Sequence, residues 1–207
     1  MLNKEYISRV LKYNNVINKF KSIGLIRVFS DNIGEAAGLS SSQVRKDFSE
    51  LKISGNKRGG YNVDDLMVKM EKILGKGQDK KVIVVGCGHI GQALMNYQRF
   101  ISGEINIVAG FDIDQNKTNP NAKIPIYPLS EMKQYLKKNN IKVGIIAVPD
   151  TAASDVYEQL KESGVKGVLN FARVHLKETE NCLINTINIE LKIENLFYFV
   201  NAMESKE

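Results

Sequence analysis

The chain has 207 residues, of which 43% are hydrophobic and 25% charged, a balance that excludes a largely disordered, collagenous or coiled-coil protein. Its length favours two domains, since a single core usually closes at about 100–150 residues. The formal net charge of +6 is concentrated in residues 1–75, where 13 Lys and Arg stand against 8 Asp and Glu, so this part is predicted to bind a polyanion.

The scarcity of cysteine and histidine limits the chemistry that the chain can support. Two residues of each type, without a CxxC motif, predict neither a disulfide framework nor a metal site. The apolar runs are far shorter than the ~18 residues of a membrane span, and Lys4 and Glu5 stand where a signal peptide would become apolar. The sequence therefore predicts a soluble, cytoplasmic protein that binds no membrane.

Residues 1–75 are predicted to form a winged helix-turn-helix domain. Apolar residues recur at helical spacing up to about Ser22 and indicate a first helix. A short helix that ends at Gly38 follows, and a second short helix with Ser41 as its cap runs to about Leu51. Two short helices joined by a tight glycine turn have the spacing of a helix-turn-helix.

The second short helix is predicted to contact DNA, because its apolar residues share one face and its other face is polar and basic. Residues 55–61 then combine turn residues with two cations, which is typical of the basic hairpin, or wing, of a winged helix. The alternative is a helical cap domain whose charges face water. The predicted DNA contacts are Ser41, Ser42, Gln43, Arg45, Lys46, Lys57 and Arg58.

A polar, glycine-containing stretch at residues 75–80 marks a boundary, and residues 80–188 are predicted to form a Rossmann domain. An apolar strand leads directly into the motif Gly86-Cys87-Gly88-His89-Ile90-Gly91, and a helical segment follows. This GxGxxG pattern is the dinucleotide-binding fingerprint, since its glycines permit a tight turn, close approach of a pyrophosphate and close helix packing. The alternative is the same turn without a ligand.

A second strand ends at Asp112, 21 residues after Gly91. An acidic residue at this position hydrogen-bonds a ribose 2′-hydroxyl and disfavours a 2′-phosphate. The predicted cofactor is therefore NAD(H) rather than NADP(H).

Strands and helices alternate further along the chain and predict a doubly wound parallel sheet. Val148 and Pro149 follow one of these strands, and Asn170 and Phe171 end another. Ligands of such sheets bind at the carboxyl ends of the strands, so these four residues join the predicted cofactor site.

Residues 189–203 are predicted to form an apolar, aromatic terminal helix. Dehydrogenases usually add a substrate domain of roughly a hundred residues, and the remaining chain leaves no room for one. A helix without a domain of its own to cover packs against a partner subunit, the alternative being a helix folded back on its own sheet. The sequence favours a ligand sensor over an enzyme.

Taken together, these features resemble the bacterial redox-sensing transcriptional repressors of the Rex family. The resemblance spans essentially the whole chain. It is carried by Val44-Arg45-Lys46-Asp47-Phe48-Ser49, Arg58-Gly59-Gly60-Tyr61-Asn62-Val63, the glycine motif, Asn96-Tyr97, Phe111-Asp112-Ile113-Asp114, Val148-Pro149 and Leu169-Asn170-Phe171.

The resemblance implies a homodimer that binds an inverted repeat in operator DNA, exchanges its C-terminal helices between subunits, and is released from DNA by NADH. It also implies recognition-helix contacts for Arg45 and Lys46, a switching role for Tyr97, and a ribose contact for Asp112. Relative to the family, the chain has Asn15 in place of an Arg and Asn188 in place of an Asp, two groups that form a charged network with the tyrosine. Arg173 replaces a common Pro.

We therefore expect a dimeric, NAD(H)-responsive DNA-binding repressor without catalytic residues. Two alternatives remain open. One is a Rossmann oxidoreductase with an N-terminal helical oligomerisation domain, and the other is a repressor that responds to another adenine nucleotide such as coenzyme A.

Overall fold

A computed structural model describes residues 4–56, 59–75, 80–97, 100 and 105–205 of the chain. The chain divides into two compact units, Met1–Gln78 and Asp79–Glu207. Each unit has hydrophobic core residues of its own, so each is described by itself.

The first unit contains the predicted helix-turn-helix. Its helices are α1 (Lys4–Ser22), α2 (Ser30–Ala37), α3 (Ser41–Glu50) and α4 (Val63–Leu74), and strand β1 (Arg27–Val28) pairs antiparallel with β2 (Tyr61–Asn62). Gly38 ends α2 in the left-handed conformation with φ +66°, which allows the tight turn into α3. Side chains of α1, α3 and α4, among them Tyr13, Ile17, Phe48, Leu66 and Met70, fill the core.

The cap of α3 lies one residue earlier than predicted. Ser40 has an extended backbone, and its Oγ accepts a hydrogen bond from the Gln43 N–H at 3.2 Å. Ser41 is instead the first helical residue. Both serines have the chemistry of an N-cap, and only the backbone conformation distinguishes them.

The base of the wing is an antiparallel bridge between Asn56 and Gly60. Asn56 and Gly60 exchange two backbone hydrogen bonds, of 2.9 and 2.8 Å, and Arg27 donates from Nη1 to the Gly59 carbonyl oxygen at 2.8 Å. The winged-helix prediction is confirmed for the fold. Lys57 and Arg58, the predicted wing cations, lie outside the described residues.

The second unit is a doubly wound α/β domain, as predicted. Its six-stranded parallel sheet has the order β5-β4-β3-β6-β7-β8. The strands are β3 (Lys80–Val85), β4 (Ile105–Asp112), β5 (Ile126–Pro128), β6 (Val143–Ile146), β7 (Gly167–Asn170) and β8 (Leu183–Thr186). The helices are α5 (His89–Met95), α6 (Met132–Asn139), α7 (Asp150–Glu162) and α8 (Ile189–Glu204).

Alternation along the central strand fills both faces of the sheet. Ile83 and Val85 pack in the larger core with Phe111, whereas Val82 and Val84 pack on the opposite face. A strand that is covered on both faces has a continuous apolar sequence, which is why β3 could be predicted.

The terminal helix α8 packs little of its apolar surface against its own unit. Its large apolar side chains are all exposed, including Leu196, Phe197, Tyr198 and Phe199, each at 61–72%. Asn188 caps the helix by accepting a hydrogen bond from the Leu191 N–H at 2.9 Å. Among the described residues, no helix is long and apolar enough to cross a membrane.

Candidate nucleotide site and DNA-binding face

A cavity of about 500 Å³ opens at the carboxyl ends of β3, β4 and β6. Here the strand order reverses direction, because β3 lies between β4 and β6, and such switch points bind the ligands of open parallel sheets. The cavity is lined by Val85, Gly86, Gly88, His89, Ile90, Phe111, Asp112, Ile113, Asp114, Lys117, Leu129, Ala147, Val148, Pro149, Ala152 and Val156.

The three glycines of the motif have different steric roles. Gly86 has φ +94°, and a Cβ there would lie 2.5 Å from the Ala147 carbonyl oxygen. A Cβ at Gly91 would overlap the carbonyl oxygen of Gly86, so this glycine lets α5 approach the loop. A Cβ at Gly88 would enter open space at the cavity wall.

The open space beside Gly88 fits a pyrophosphate. Gly88 is the N-cap of α5, and the N–H groups of the first turn of a helix have no acceptor within the helix. The partial positive charge of that end favours an anion. The glycine loop thus offers open space and a helix N-terminus to an anionic ligand.

Asp112 is the buried acidic group of the cavity, at 6% exposure. Its Oδ2 accepts a hydrogen bond from the Cys87 N–H at 2.7 Å, and its Oδ1 accepts one from the Asp114 N–H at 2.9 Å. Lys117 Nζ lies 3.5 Å from Oδ2. These donors orient the carboxylate at the position where a ribose hydroxyl is expected, and Oδ1, with one donor, keeps a second lone pair for the ligand.

The Cys87 side chain faces away from the cavity. It is fully buried in the core that contains Val82, Val84 and Met95, and its Sγ lies 3.7 Å from the Phe111 carbonyl oxygen. Burial, together with the nearby Asp112 carboxylate, raises the pKa of the Cys87 thiol to about 11. The cysteine therefore fills a tight turn and is not an activated thiol.

The structure brings seven of the predicted cofactor residues to the cavity: Gly86, Gly88, His89, Ile90, Asp112, Val148 and Pro149. Cys87 and Gly91 shape the loop from behind it, and Tyr97 is exposed beyond the end of α5. Asn170 is buried, and its side chain bonds backbone groups of Ala172 and Val174, so it shapes the loop after β7. Phe171 packs in the core of the opposite face of the sheet.

Sequence reasoning did not assign nine residues of the cavity wall to the site, which are Val85, Phe111, Ile113, Asp114, Lys117, Leu129, Ala147, Ala152 and Val156. Ile113 is 84% exposed, and an exposed apolar residue directly after the ribose acid is a signal that could have indicated it. Lys117 is brought back to Asp112 by a short 3₁₀ turn, Gln115–Lys117, that Asp114 caps. In the sequence, the only sign of this contact is that Lys117 follows closely after the two aspartates Asp112 and Asp114.

The predicted DNA-binding face is the exposed side of α3. Ser42, Arg45 and Lys46 are exposed, and Arg45 Nη1 donates to the Ser30 Oγ at 3.0 Å. Ser41 is half-buried. Gln43 is also half-buried, and its Nε2 donates to the buried carboxylate of Asp47 at 2.8 Å, so its amide is already engaged within the unit.

A cluster of exposed charges lies near the start of α8. The Arg173 N–H donates to Asp150 Oδ1 at 2.8 Å, and its guanidinium lies 3.3 Å from Asp150 Oδ2 and 3.0 Å from Glu190 Oε2. A proline at position 173 could not donate the backbone bond. The side chain thus links the first turn of α7, beside the cavity, to the first turn of α8.

A helix-turn-helix unit followed by a dinucleotide-type Rossmann unit defines a ligand-responsive transcription regulator. Family models described as "Putative DNA-binding protein N-terminus" and "CoA binding domain" match residues 4–49 and 77–174. Redox-sensing transcriptional repressors Rex are 33% identical over 96% of this chain in Streptococcus equi subsp. equi (strain 4047) and 34% identical over 93% in Oenococcus oeni (strain ATCC BAA-331 / PSU-1). These matches cover 94% and 90% of the relatives. The chain belongs to the Rex family of redox-sensing transcriptional repressors.

Solved structures agree with this assignment. RSP, a Rex-family repressor, matches with a TM-score of 0.85 at 25% identity over 99% of this chain and 96% of that chain. Its complex with beta-NADH matches with a TM-score of 0.84 at the same identity and coverage. Its complex with beta-NAD+ and operator DNA has a TM-score of 0.91 at 24% identity over 99% of this chain and 94% of that chain, which supports the fold.

Proposed function

We propose that this protein is a transcriptional repressor, not an enzyme, that binds operator DNA and is released from it when NADH occupies the Rossmann cavity. The observation that carries the proposal is the glycine loop tied to Asp112 at the switch point of the sheet, in a chain that also has a helix-turn-helix. The named relatives are redox-sensing repressors, and one structural relative binds NADH. Such a protein acts in the cytoplasm.

Different residues of the cavity hold the two ends of the cofactor. Asp112 accepts ribose hydroxyls at the adenosine end, while the first-turn amides of α5 beside Gly88 hold the pyrophosphate. Val148 and Pro149 cover the approach to the nicotinamide end, at the carboxyl edge of β6. The cofactor supplies the redox signal, since its nicotinamide ring is positively charged only in the oxidised form.

DNA binding rests on the exposed cations. Ser42, Arg45 and Lys46 face outward from α3 and suit phosphates and base edges, and Lys57 and Arg58 would add the wing contacts. Ser41 and Gln43 contribute through the local geometry of the helix.

The functional unit is a homodimer bound to an inverted repeat. The large apolar side chains of α8 are all exposed, as is typical of an interaction surface, and a second copy of the chain supplies a matching surface. Exchange of α8 between subunits would bury this surface in both copies. Tyr97, exposed in the single chain, is available to such a dimer.

A second candidate ligand is coenzyme A, because residues 77–174 match the family model for that nucleotide. Both ligands contain an adenosine and a pyrophosphate, which the glycine loop would hold alike. They differ at the ribose, since coenzyme A carries a 3′-phosphate that would meet the carboxylates of Asp112 and Asp114.

Calorimetric titration of the pure protein with NADH, NAD+, NADPH and coenzyme A tests the ligand. We expect NADH to bind more tightly than NADPH and coenzyme A; tighter binding of coenzyme A would replace the cofactor assignment. A parallel test of the DNA face replaces Arg45, Lys46, Lys57 and Arg58 by Ala. Unchanged DNA affinity and salt dependence in this variant would refute the winged-helix contacts, because phosphate neutralisation makes binding salt-dependent.

A further inference from the structure

The buried carboxylate of Asp47 lies on the inner side of α3, opposite the exposed side that is proposed to bind DNA. It is fully buried and accepts four hydrogen bonds. Arg9 donates through Nε and Nη2 at 2.7 and 2.9 Å, the Tyr13 hydroxyl donates at 2.7 Å, and Gln43 Nε2 donates at 2.8 Å. Burial alone would raise the pKa of Asp47, but these donors hold the pKa below its ordinary value.

The four residues form two facing pairs. Arg9 and Tyr13 are four residues apart on α1, and Gln43 and Asp47 are four residues apart on α3, so each pair spans one helical turn. Directional bonds from two successive turns of α1 to one carboxylate restrict both sliding and rotation of α3. Apolar contacts alone restrict neither as strongly, because they are not directional.

The same contact extends to the base of the wing. The Tyr13 ring packs edge-on against Phe48 with 5.4 Å between centroids, and Phe48 packs edge-on against Tyr61 with 5.1 Å. Tyr61 is the first residue of β2, directly after the wing. The hydrogen-bonded carboxylate and this aromatic series therefore fix the position of α3 relative to the wing strand β2.

We propose that Asp47 is a positioning residue for operator recognition, which fixes α3 through Arg9 and Tyr13, and that Gln43 belongs to this anchor and is not a freely oriented base contact. The proposal rests on operator binding as the function. Buried ion pairs often add little to stability compared with apolar residues, and fixing one geometry is the role best attested for them.

The consequence for DNA binding is selective. Hydrogen bonds to base edges depend on accurate placement, whereas contacts to phosphates depend mainly on charge and tolerate small shifts. Loosening the anchor should therefore weaken binding to the preferred sequence while leaving binding to unrelated DNA nearly unchanged. A merely structural role for Asp47 would weaken both in proportion to the unfolded fraction.

The test compares two duplexes, one selected by the wild-type protein from a random-sequence library and one with the same bases scrambled. The variants are Asp47→Asn, which keeps the shape of the side chain, and Tyr13→Phe, which removes a single hydroxyl and keeps the ring against Phe48. Tyr157→Phe is the matched control, since the Tyr157 hydroxyl donates to the Lys177 carbonyl oxygen at 3.0 Å in the other unit. Circular dichroism and thermal melts check that each variant is folded.

For the selected duplex, we expect Kd to rise about tenfold in Asp47→Asn and about fivefold in Tyr13→Phe, as for loss of buried hydrogen bonds to a charged group. The Kd for the scrambled duplex should stay within about twofold, since phosphate contacts remain. The control should change neither value. If Asp47→Asn fails to fold, Tyr13→Phe decides the question.

Equal losses on both duplexes, or no loss on the selected one, would overturn the positioning role. Gln43→Ala gives a further check with a base-by-base readout. An anchor residue lowers affinity for every single-base variant of the selected duplex alike, whereas a base-reading residue relaxes the preference at one base pair. A wild-type protein that selects no sequence at all would refute operator binding itself, and the anchor with it.

Discussion

The Asp112 carboxylate accepts a hydrogen bond from the backbone N–H of Cys87, with 2.7 Å between Oδ2 and N. The bond joins the end of β4 to the middle of the glycine loop. One side chain therefore both lines the cavity and holds the glycine loop in place. Substitution of Asp112 should disturb loop geometry as well as cofactor selectivity.

We expect Asp112→Ala to weaken NADH binding by about tenfold or more, since it removes a charged acceptor and its bond to the loop. NADPH should lose less affinity than NADH, because Lys117, now 3.5 Å from the carboxylate, would be left free to meet a 2′-phosphate. Calorimetry with both nucleotides gives the ratio. Wild-type protein that binds NADPH as tightly as NADH would contradict the role assigned to Asp112.

Two glycines of the same motif should respond in opposite ways. Gly88→Val should reduce NADH affinity on the order of a hundredfold without lowering Tm, because the side chain enters open cavity space at an ordinary φ of −75°. Gly91→Ala should lower the free energy of unfolding by about 1–3 kcal/mol, since its Cβ overlaps the Gly86 carbonyl. Thermal melts and NADH titration of both variants distinguish the two effects. A Gly88→Val protein that binds NADH as tightly as the wild type would refute the open pyrophosphate site.

The thiol of Cys87 should be inert at ordinary pH. Its pKa is raised to about 11, so the neutral, less nucleophilic thiol persists through pH 8–10, and the thiolate forms only as pH approaches 11. Cys182 is likewise buried. Ellman's reagent should react with both cysteines only after unfolding in guanidinium. Rapid reaction of one thiol in folded protein at pH 8 would instead indicate a redox-active cysteine.

The balance between NADH and NAD+ should differ from that implied by the family resemblance. Asn15 is exposed on α1 and Asn188 caps α8, and neither carries a charge to distinguish the nicotinamide ring of NAD+ from that of NADH. The Arg173–Glu190 pair adds charge near the start of α8, but it is exposed, and such pairs contribute little.

We therefore predict that NAD+ enhances DNA binding only slightly in the wild type. The comparison is operator affinity with saturating NAD+ in the wild type and in the double variant Asn15→Arg/Asn188→Asp. The variant should gain enhancement, because a ligand shifts an equilibrium only by its differential affinity for two states. If NAD+ strongly enhances DNA binding by the wild type, and equally by the variant, the two asparagines do not determine the redox response.

Features encoded by local periodicity could be predicted from the sequence. The continuous apolar run of β3 followed by the glycine motif indicated the Rossmann unit, and the glycine turn at Gly38 indicated the helix-turn-helix. Strand β8 was not predicted. Its four residues include only Leu183 and Ile184 as apolar ones, too short a run to distinguish from a loop.

Whether a polar side chain is engaged within its own unit or is free to meet a ligand could not be predicted. Gln43, expected to contact DNA, donates to the Asp47 carboxylate. That carboxylate is held in place by Arg9, which lies on another helix 38 residues before Asp47. Asn170, expected to contact the cofactor, forms hydrogen bonds with backbone groups of its own loop. In both cases the residue type suited two roles, and only tertiary packing distinguishes them.

The coupling between the two units is tested most directly by adding NADH to the protein bound to a fluorescent duplex selected by the wild type, while anisotropy reports DNA release and nicotinamide fluorescence reports binding. We predict that anisotropy falls over the concentration range in which NADH binds, because ligand and DNA favour different states, and that Gly88→Val stays bound to DNA throughout. NADH that saturates the wild-type protein while the DNA complex persists would contradict a repressor released by NADH.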